Sequence, residues 1–115
     1  MNYRRGDVVL VLFPDSNLRT SKRRPALVVQ ANQLGTGLLQ TIVAMVASNM
    51  ERAGHPSRVI VQTGTPSGKR SGLLTDSVIM ADNLATIHDV EIDRVIGALP
   101  DLTEVDAALR ATLAL

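Results

Sequence analysis

Residues 20–30 read TSKRRPALVVQ, a stretch that sets three cations, Lys22, Arg23 and Arg24, directly against an apolar run. Pro25 separates the two parts, and its ring holds the preceding residue, Arg24, in extended backbone. Ala26 to Gln30 has the length and branched side chains of a short core strand. The densest positive charge of the chain therefore stands at the mouth of a buried strand. Charged loops join buried strands in most globular proteins, so one account is a solvated loop. The other is a binding or catalytic position held by a rigid sheet.

Working outward, DVVLVLF (Asp7 to Phe13) is a first strand ended by Pro14. Residues 14–24 are polar and basic and predict a loop. TIVAMV (Thr41 to Val46) is a third strand, reached through ANQLGTGLL, which Gly35 and Gly37 punctuate. RVIVQ (Arg58 to Gln62) alternates as a half-buried strand should. TGTPSGKRSG follows, and its turn formers predict a mobile exposed loop. Leu73–Thr75 with Val78–Met80 form one strand or a strand and a turn. Ala85–Ile87 and Val95–Leu99 are further strand candidates.

The C-terminus changes period. In DLTEVDAALRATLAL, Leu102, Val105, Leu109 and Leu113 share one helical face, with Ala108 and Thr112 beside them. Asp101 is placed to cap this helix, and Glu104 completes an Asp version of the capping box. The fold class read from this order is mainly β with a C-terminal helix: a small antiparallel barrel or curled sheet against which the helix packs. A dimer would cover its strand edges.

A chain of 115 residues is one domain with one continuous core. Its hydrophobic share of 45% and charged share of 20% argue against disorder. No apolar run approaches the roughly 20 residues that cross a bilayer. MNYRRGD lacks the apolar core of a signal peptide, so a cytoplasmic protein is expected, without membrane partners. With no cysteine, disulfides, thiol nucleophiles and thiolate metal sites fall away. His55 and His88 lack the partner spacing of a metal site or a catalytic triad, so no metal and no cofactor is expected. His55, between Gly54 and Pro56, reads as a turn residue.

The net charge of +1 hides a division. Residues 1–72 carry ten Lys/Arg and three Asp/Glu, whereas residues 73–115 carry two and eight. A basic half suits a polyanion or an acidic peptide; the alternative is that the halves attract each other across the fold or between subunits. Tyr3 and Phe13 are the only aromatic residues, too few for a stacking platform. Any nucleic acid must be held by charge and hydrogen bonds. GTPSGKRS (Gly64 to Ser71) invites a phosphate-loop reading but fails it, with Thr63 where glycine is needed and Arg70 where Ser or Thr is needed. It reads as a basic surface loop able to touch a polyanion through Lys69 and Arg70. Arg24 is a different case: a planar, permanently charged fork that matches a phosphate.

RRGDVVLVLFPDS, KRRPALVVQAN, IVAMVASNM, HPSRVIV, SGLLTDSVIMADNLATI and the closing amphipathic helix come in an order and spacing that resembles the MazF/PemK family of toxin endoribonucleases. Only residues 31–39 and 62–70 fall outside the likeness, so residues 1–115 read as a single toxin domain of this kind. The resemblance implies an SH3-like antiparallel barrel of the PemK/CcdB-like type and a homodimer. It implies metal-independent cleavage of single-stranded RNA at short sequences, and a cognate antitoxin whose acidic C-terminal segment covers the RNA groove.

By the same resemblance the family's catalytic arginine, before the proline of the second strand, falls on Arg24. Its hydroxyl partner, a threonine at the end of the third strand, falls on Ala47; the adjacent Ser48 takes the catalytic hydroxyl's place if the strand end is shifted or bulged. Arg19, Thr20, Lys22, Arg23, Asn49, Lys69 and Arg70 are the expected RNA-binding residues. Some members carry a glutamate that would fall near Arg19, where this chain has none. The departure at Ala47 keeps open a non-catalytic alternative: an RNA or antitoxin binder, or a gyrase poison on the same scaffold. The terminal ATLAL offers no aromatic anchor for the last of these.

Overall fold

The computed structural model describes residues 3–14 and 21–115. Its elements run β1 (Asp7–Pro14), β2 (Ser21–Val28), β3 (Gln40–Ala47), a 3₁₀ turn (Met50–Arg52), β4 (Arg58–Val61), α1 (Pro66–Ser71), β5 (Ser77–His88), a second 3₁₀ turn (Asp89–Glu91), β6 (Ile92–Ala98) and α2 (Thr103–Leu113). The strands form one antiparallel sheet in the order β4-β5-β3-β2-β1-β6.

Both faces of this sheet are apolar, because successive side chains on its central strands are hydrophobic. On one face Val8, Leu27, Ala44, Val46 and Ile79 pack against Val105 and Ala108 of α2. On the other, Val9, Val11, Ala26, Val28, Val43, Met45, Val78 and Met80 meet Ile87 and Ile92. Every residue of the second cluster is 8% exposed or less, yet α2 lies on the opposite face. Burial on that side comes from the sheet curling over itself, the expected barrel-like form.

Two irregularities produce the curl. The β3–β5 register jumps between Ala44 opposite Leu84 and Met45 opposite Met80, leaving Ala81, Asp82 and Asn83 without partners on β3. The β1–β6 register slips between Val8 and Val9 and again between Leu10 and Val11. Extra residues bend the strand that carries them.

Several expectations are corrected. β2 begins at Ser21, so Lys22, Arg23 and Arg24 are strand residues, paired with Phe13, Leu12 and Val11. Backbone pairing with β1 supplies what the polar side chains could not signal. Residues 77–88 form one twelve-residue strand.

The expected mobile loop at 63–72 contains a helix, α1, whose Thr65 side chain caps Gly68 N–H at 3.0 Å. Its glycines serve close approach. A Cβ on Gly72 would overlap the Ile96 carbonyl, and one on Gly97 would overlap the backbone of Arg70 and Ser71. α1 is thus pressed onto β6 backbone to backbone, with Ser71 fully buried and bonded to the Gly68 carbonyl at 2.6 Å.

α2 begins at Thr103. Asp101 Oδ1 accepts from Thr103 N at 3.0 Å and Thr103 Oγ1 at 2.6 Å, and Glu104 is not among its partners. Leu113, expected on the buried face, is 50% exposed at the last residue of α2.

Candidate RNA-binding cleft

β2 and β3 pair only from Val28 opposite Val43 to Ala26 opposite Met45. Beyond that point the two strands separate, although β2 continues on β1 and β3 continues on β5 to Ala47. The gap opens an approximately 1050 Å³ cleft lined by both strand ends, the Ser48–Arg52 turn, residues 72–75, Asn83 from the β5 bulge, and Arg94 and Ile96 of β6.

Its charge is one-sided. Lys22, Arg23, Arg24, Arg52 and Arg94 line it, and no Asp or Glu does among the described residues. Lys22 and Arg24 sit on the same strand face, two residues apart, so both heads can approach one anionic backbone. Arg24 is exposed and makes no ion pair or side-chain hydrogen bond among the described residues.

Arg23, on the other strand face, is paired through one nitrogen and otherwise exposed. Its Nε donates to Asp93 Oδ2 at 3.0 Å, and that oxygen also lies 4.0 Å from Arg94 Nε. The ion pairs Arg5–Asp106 (2.6 Å), Arg23–Asp93 and Arg58–Asp82 (2.7 Å) each join a cation of the basic half to an acid of the acidic half. Both accounts of the charge division therefore hold in part: some cations tie the halves together and others line the cleft, Arg23 doing both.

Arg58 is the most fully engaged of these. Its Nε and Nη2 hold the two oxygens of Asp82 at 2.8 and 2.7 Å, and its Nη1 donates to the Arg52 carbonyl at 2.8 Å. The fork holds the Asp82 carboxyl well below its ordinary range, at about 2. One guanidinium thereby ties the β5 bulge to the turn carrying Asn49 and Arg52.

Ser48 follows the last residue of β3 in a bend, so strand alternation no longer governs its direction. Ala47 and Ser48 both line the cleft. Asn49 lines it too, but its Oδ1 accepts from Glu51 N at 3.0 Å and caps the turn. Arg24, Ser48, Lys22, Arg23 and Asn49 are thus brought together. Lys69 and Arg70 are not in the lining: both sit in the last turn of α1. Arg19 and Thr20 lie outside the described residues. Sequence reasoning missed Arg52, Arg94 and Asn83, lone residues in NMERAG, EIDRVIG and MADNLAT, which only the tertiary fold brings to the cleft.

A curled antiparallel sheet with a basic cleft at its strand ends and a C-terminal helix on its back defines a class of small toxin folds. The family model of the PemK-like, MazF-like toxin of type II toxin–antitoxin systems matches residues 4–113, and the chain belongs to that family. It is 31% identical to endoribonuclease MazF2 of Mycobacterium bovis and to endoribonuclease MazF6 of Mycobacterium tuberculosis. Both alignments run over 105 residues, covering 89% of this chain and 88% of the relative.

Among solved structures, it resembles a mycobacterial endoribonuclease in complex with its cognate antitoxin, with TM-score 0.75 and 22% identity over 99% of this chain and 97% of that one. It also resembles MazF in a MazE–MazF crystal structure from Deinococcus radiodurans, with TM-score 0.72 and 20% identity over 100% and 98%. These likenesses establish the fold. No helix among the described residues is long and apolar enough to cross a membrane.

Proposed function

We propose that this chain is the toxin of a type II toxin–antitoxin module and a sequence-specific endoribonuclease cutting single-stranded RNA without a metal. The observation that carries the reading is the carboxylate-free cleft, with Arg24 held by β-pairing at its mouth and unengaged by protein partners among the described residues. The curated relatives, both named endoribonucleases, support it.

The chemistry follows from RNA itself. The 2′-hydroxyl gives up its proton and attacks the adjacent phosphorus; the bond to the 5′-oxygen breaks, leaving a 2′,3′-cyclic phosphate and a 5′-hydroxyl. The protein must align the strand, stabilise the charge that builds on the non-bridging phosphate oxygens, and assist the proton's passage, by way of water, from the 2′-oxygen to the leaving 5′-oxygen. Arg24 stabilises that charge. A guanidinium hardly loses its proton, so Arg24 is an electrostatic group and not a base. The Ser48 hydroxyl bonds a phosphate oxygen in the place of the family's threonine. Lys22, Arg23, Arg52 and Arg94 hold flanking phosphates, and Arg19, Thr20, Asn49, Lys69 and Arg70 are further RNA contacts.

The domain spans residues 1–115, acts as a homodimer in the cytoplasm, and is neutralised by a cognate antitoxin. That partner's acidic C-terminal segment suits a cleft whose described lining carries five cations and no acid. The test is product chemistry. Long single-stranded RNA incubated with the protein in excess EDTA should yield discrete cuts ending in cyclic phosphate, suppressed by an acidic antitoxin peptide. Uncut RNA bound by a folded protein would instead support the binding-protein reading that Ala47 keeps open.

A further inference from the structure

We infer that Asn83 is a base-reading residue that sets one position of the cleaved RNA sequence. This rests on the ribonuclease reading above and deepens it. Phosphate contacts hold a strand but carry no sequence information; a base edge is read by hydrogen bonds, and a carboxamide brings both a donor and an acceptor to one edge. The described cleft lining holds two carboxamides, Asn49 and Asn83. The oxygen of Asn49 is occupied in capping Glu51 N. Asn83 is exposed and has no hydrogen-bond partner for its side chain among the described residues, so its amide presents both functions to a ligand.

Its placement is built. The jump in β3–β5 register pushes residues 81–83 out of the ladder, and the Arg58 fork on Asp82 fixes the neighbouring residue to the Arg52 carbonyl. Pinning the bulge limits backbone motion at Asn83, so binding has mainly its side-chain torsions left to order. It faces the same cleft as Arg24, so a strand held there by its phosphates can bring a base edge to the Asn83 amide. An amide pairs bidentately with an adenine edge, whereas a carboxylate at the same place accepts from the cytosine amine.

The experiment maps every cut made by the wild type, Asn83→Ala and Asn83→Asp in one long mixed-sequence RNA, with thermal unfolding as the folding control. The expected result is loss of preference at a single nucleotide position in Asn83→Ala, with the ratio of preferred to non-preferred sites falling about tenfold or more. Asn83→Asp should move that position toward cytosine. Identical site preferences in all three proteins, or a uniform fall at every site, would overturn the assignment.

A wild type that cuts nothing would overturn the ribonuclease reading alone. The same three proteins would then be compared by the bases they enrich from a randomised single-stranded RNA pool. A change confined to one position upholds Asn83, and unchanged enrichment overturns it.

Discussion

Arg24 on β2 and Ala47 on β3 stand opposite each other in the continuation of a register whose last formed pair is Ala26 with Met45. Neither is paired to the other, because the strands part there, and the cleft begins in the space between them. Arg24 and Ala47 line the same cleft, so the cation of the site shares it with a methyl group where the family resemblance places a hydroxyl. That relationship organises the expected behaviour of the protein.

Ala47→Thr should speed cleavage. A threonine at 47 would set a hydroxyl directly across from Arg24, whereas Ser48 reaches the cleft from a bend. A hydrogen bond to a charged group contributes about 1.5–3 kcal/mol, so a gain of roughly tenfold to 150-fold in single-turnover rate is expected. Ser48→Ala in the parent protein should lower the rate by a similar factor. In the Ala47→Thr background the same change should cost little, as shown by a double-mutant cycle.

Lys22 and Arg94 should act through phosphates. Replacing either by alanine is expected to weaken binding of unrelated single-stranded RNAs to a similar extent. Each loss should reduce the slope of log affinity against log salt by about 0.7, measured by fluorescence titration across a salt series.

The Arg58–Asp82 fork should give a pH-dependent contribution to stability. Asp82 is lowered from 3.8 to about 2 in the fold, first by its hydrogen bond to Arg58. A depressed carboxyl stabilises the fold above its unfolded value and loses that contribution as pH falls through the folded one. Asp82→Asn should therefore lower Tm by a few degrees at pH 7, and the gap to wild type should close between about pH 4 and pH 2. Calorimetry at several pH values reads this directly.

Gly72 should tolerate no side chain. Its φ of 73° and the Ile96 carbonyl beneath it leave no room for a Cβ. Gly72→Ala should destabilise the protein by about 2 kcal/mol or more, read from urea unfolding. The Lys69 amide, which bonds the Thr65 carbonyl at 3.0 Å, should be protected from hydrogen exchange in the wild type and exposed in the variant.

Much of this architecture is legible in the chain, for identifiable reasons. Val8, Val9 and Val11 in DVVLVLF, and Val43 to Val46 in TIVAMV, are buried on both faces of the sheet and announce themselves by composition, and Val105 with Ala108 announces the packed face of α2. Lys22 to Arg24 conceal a strand, because an exposed face at a strand end carries no apolar period. Asp82 and Asn83 look like turn formers, yet they occupy a bulge inside one long strand. Glycines at 68 and 72 read as flexibility when they are needed for backbone contact. Arg24 was visible because Pro25 fixes its backbone beside a strand. Arg52 and Arg94 were not, since nothing local distinguishes them from other surface arginines.

The central claim is that Arg24 stabilises the transition state of RNA cleavage at the open end of the β2–β3 ladder. The most direct measurement is the single-turnover cleavage rate of a single-stranded RNA in excess EDTA, for the wild type and for Arg24→Ala. Arg24 is exposed, so the variant should fold with an unchanged Tm and still bind RNA, while the rate falls about 100-fold or more. A folded Arg24→Ala protein that cuts RNA as fast as the wild type would contradict the account.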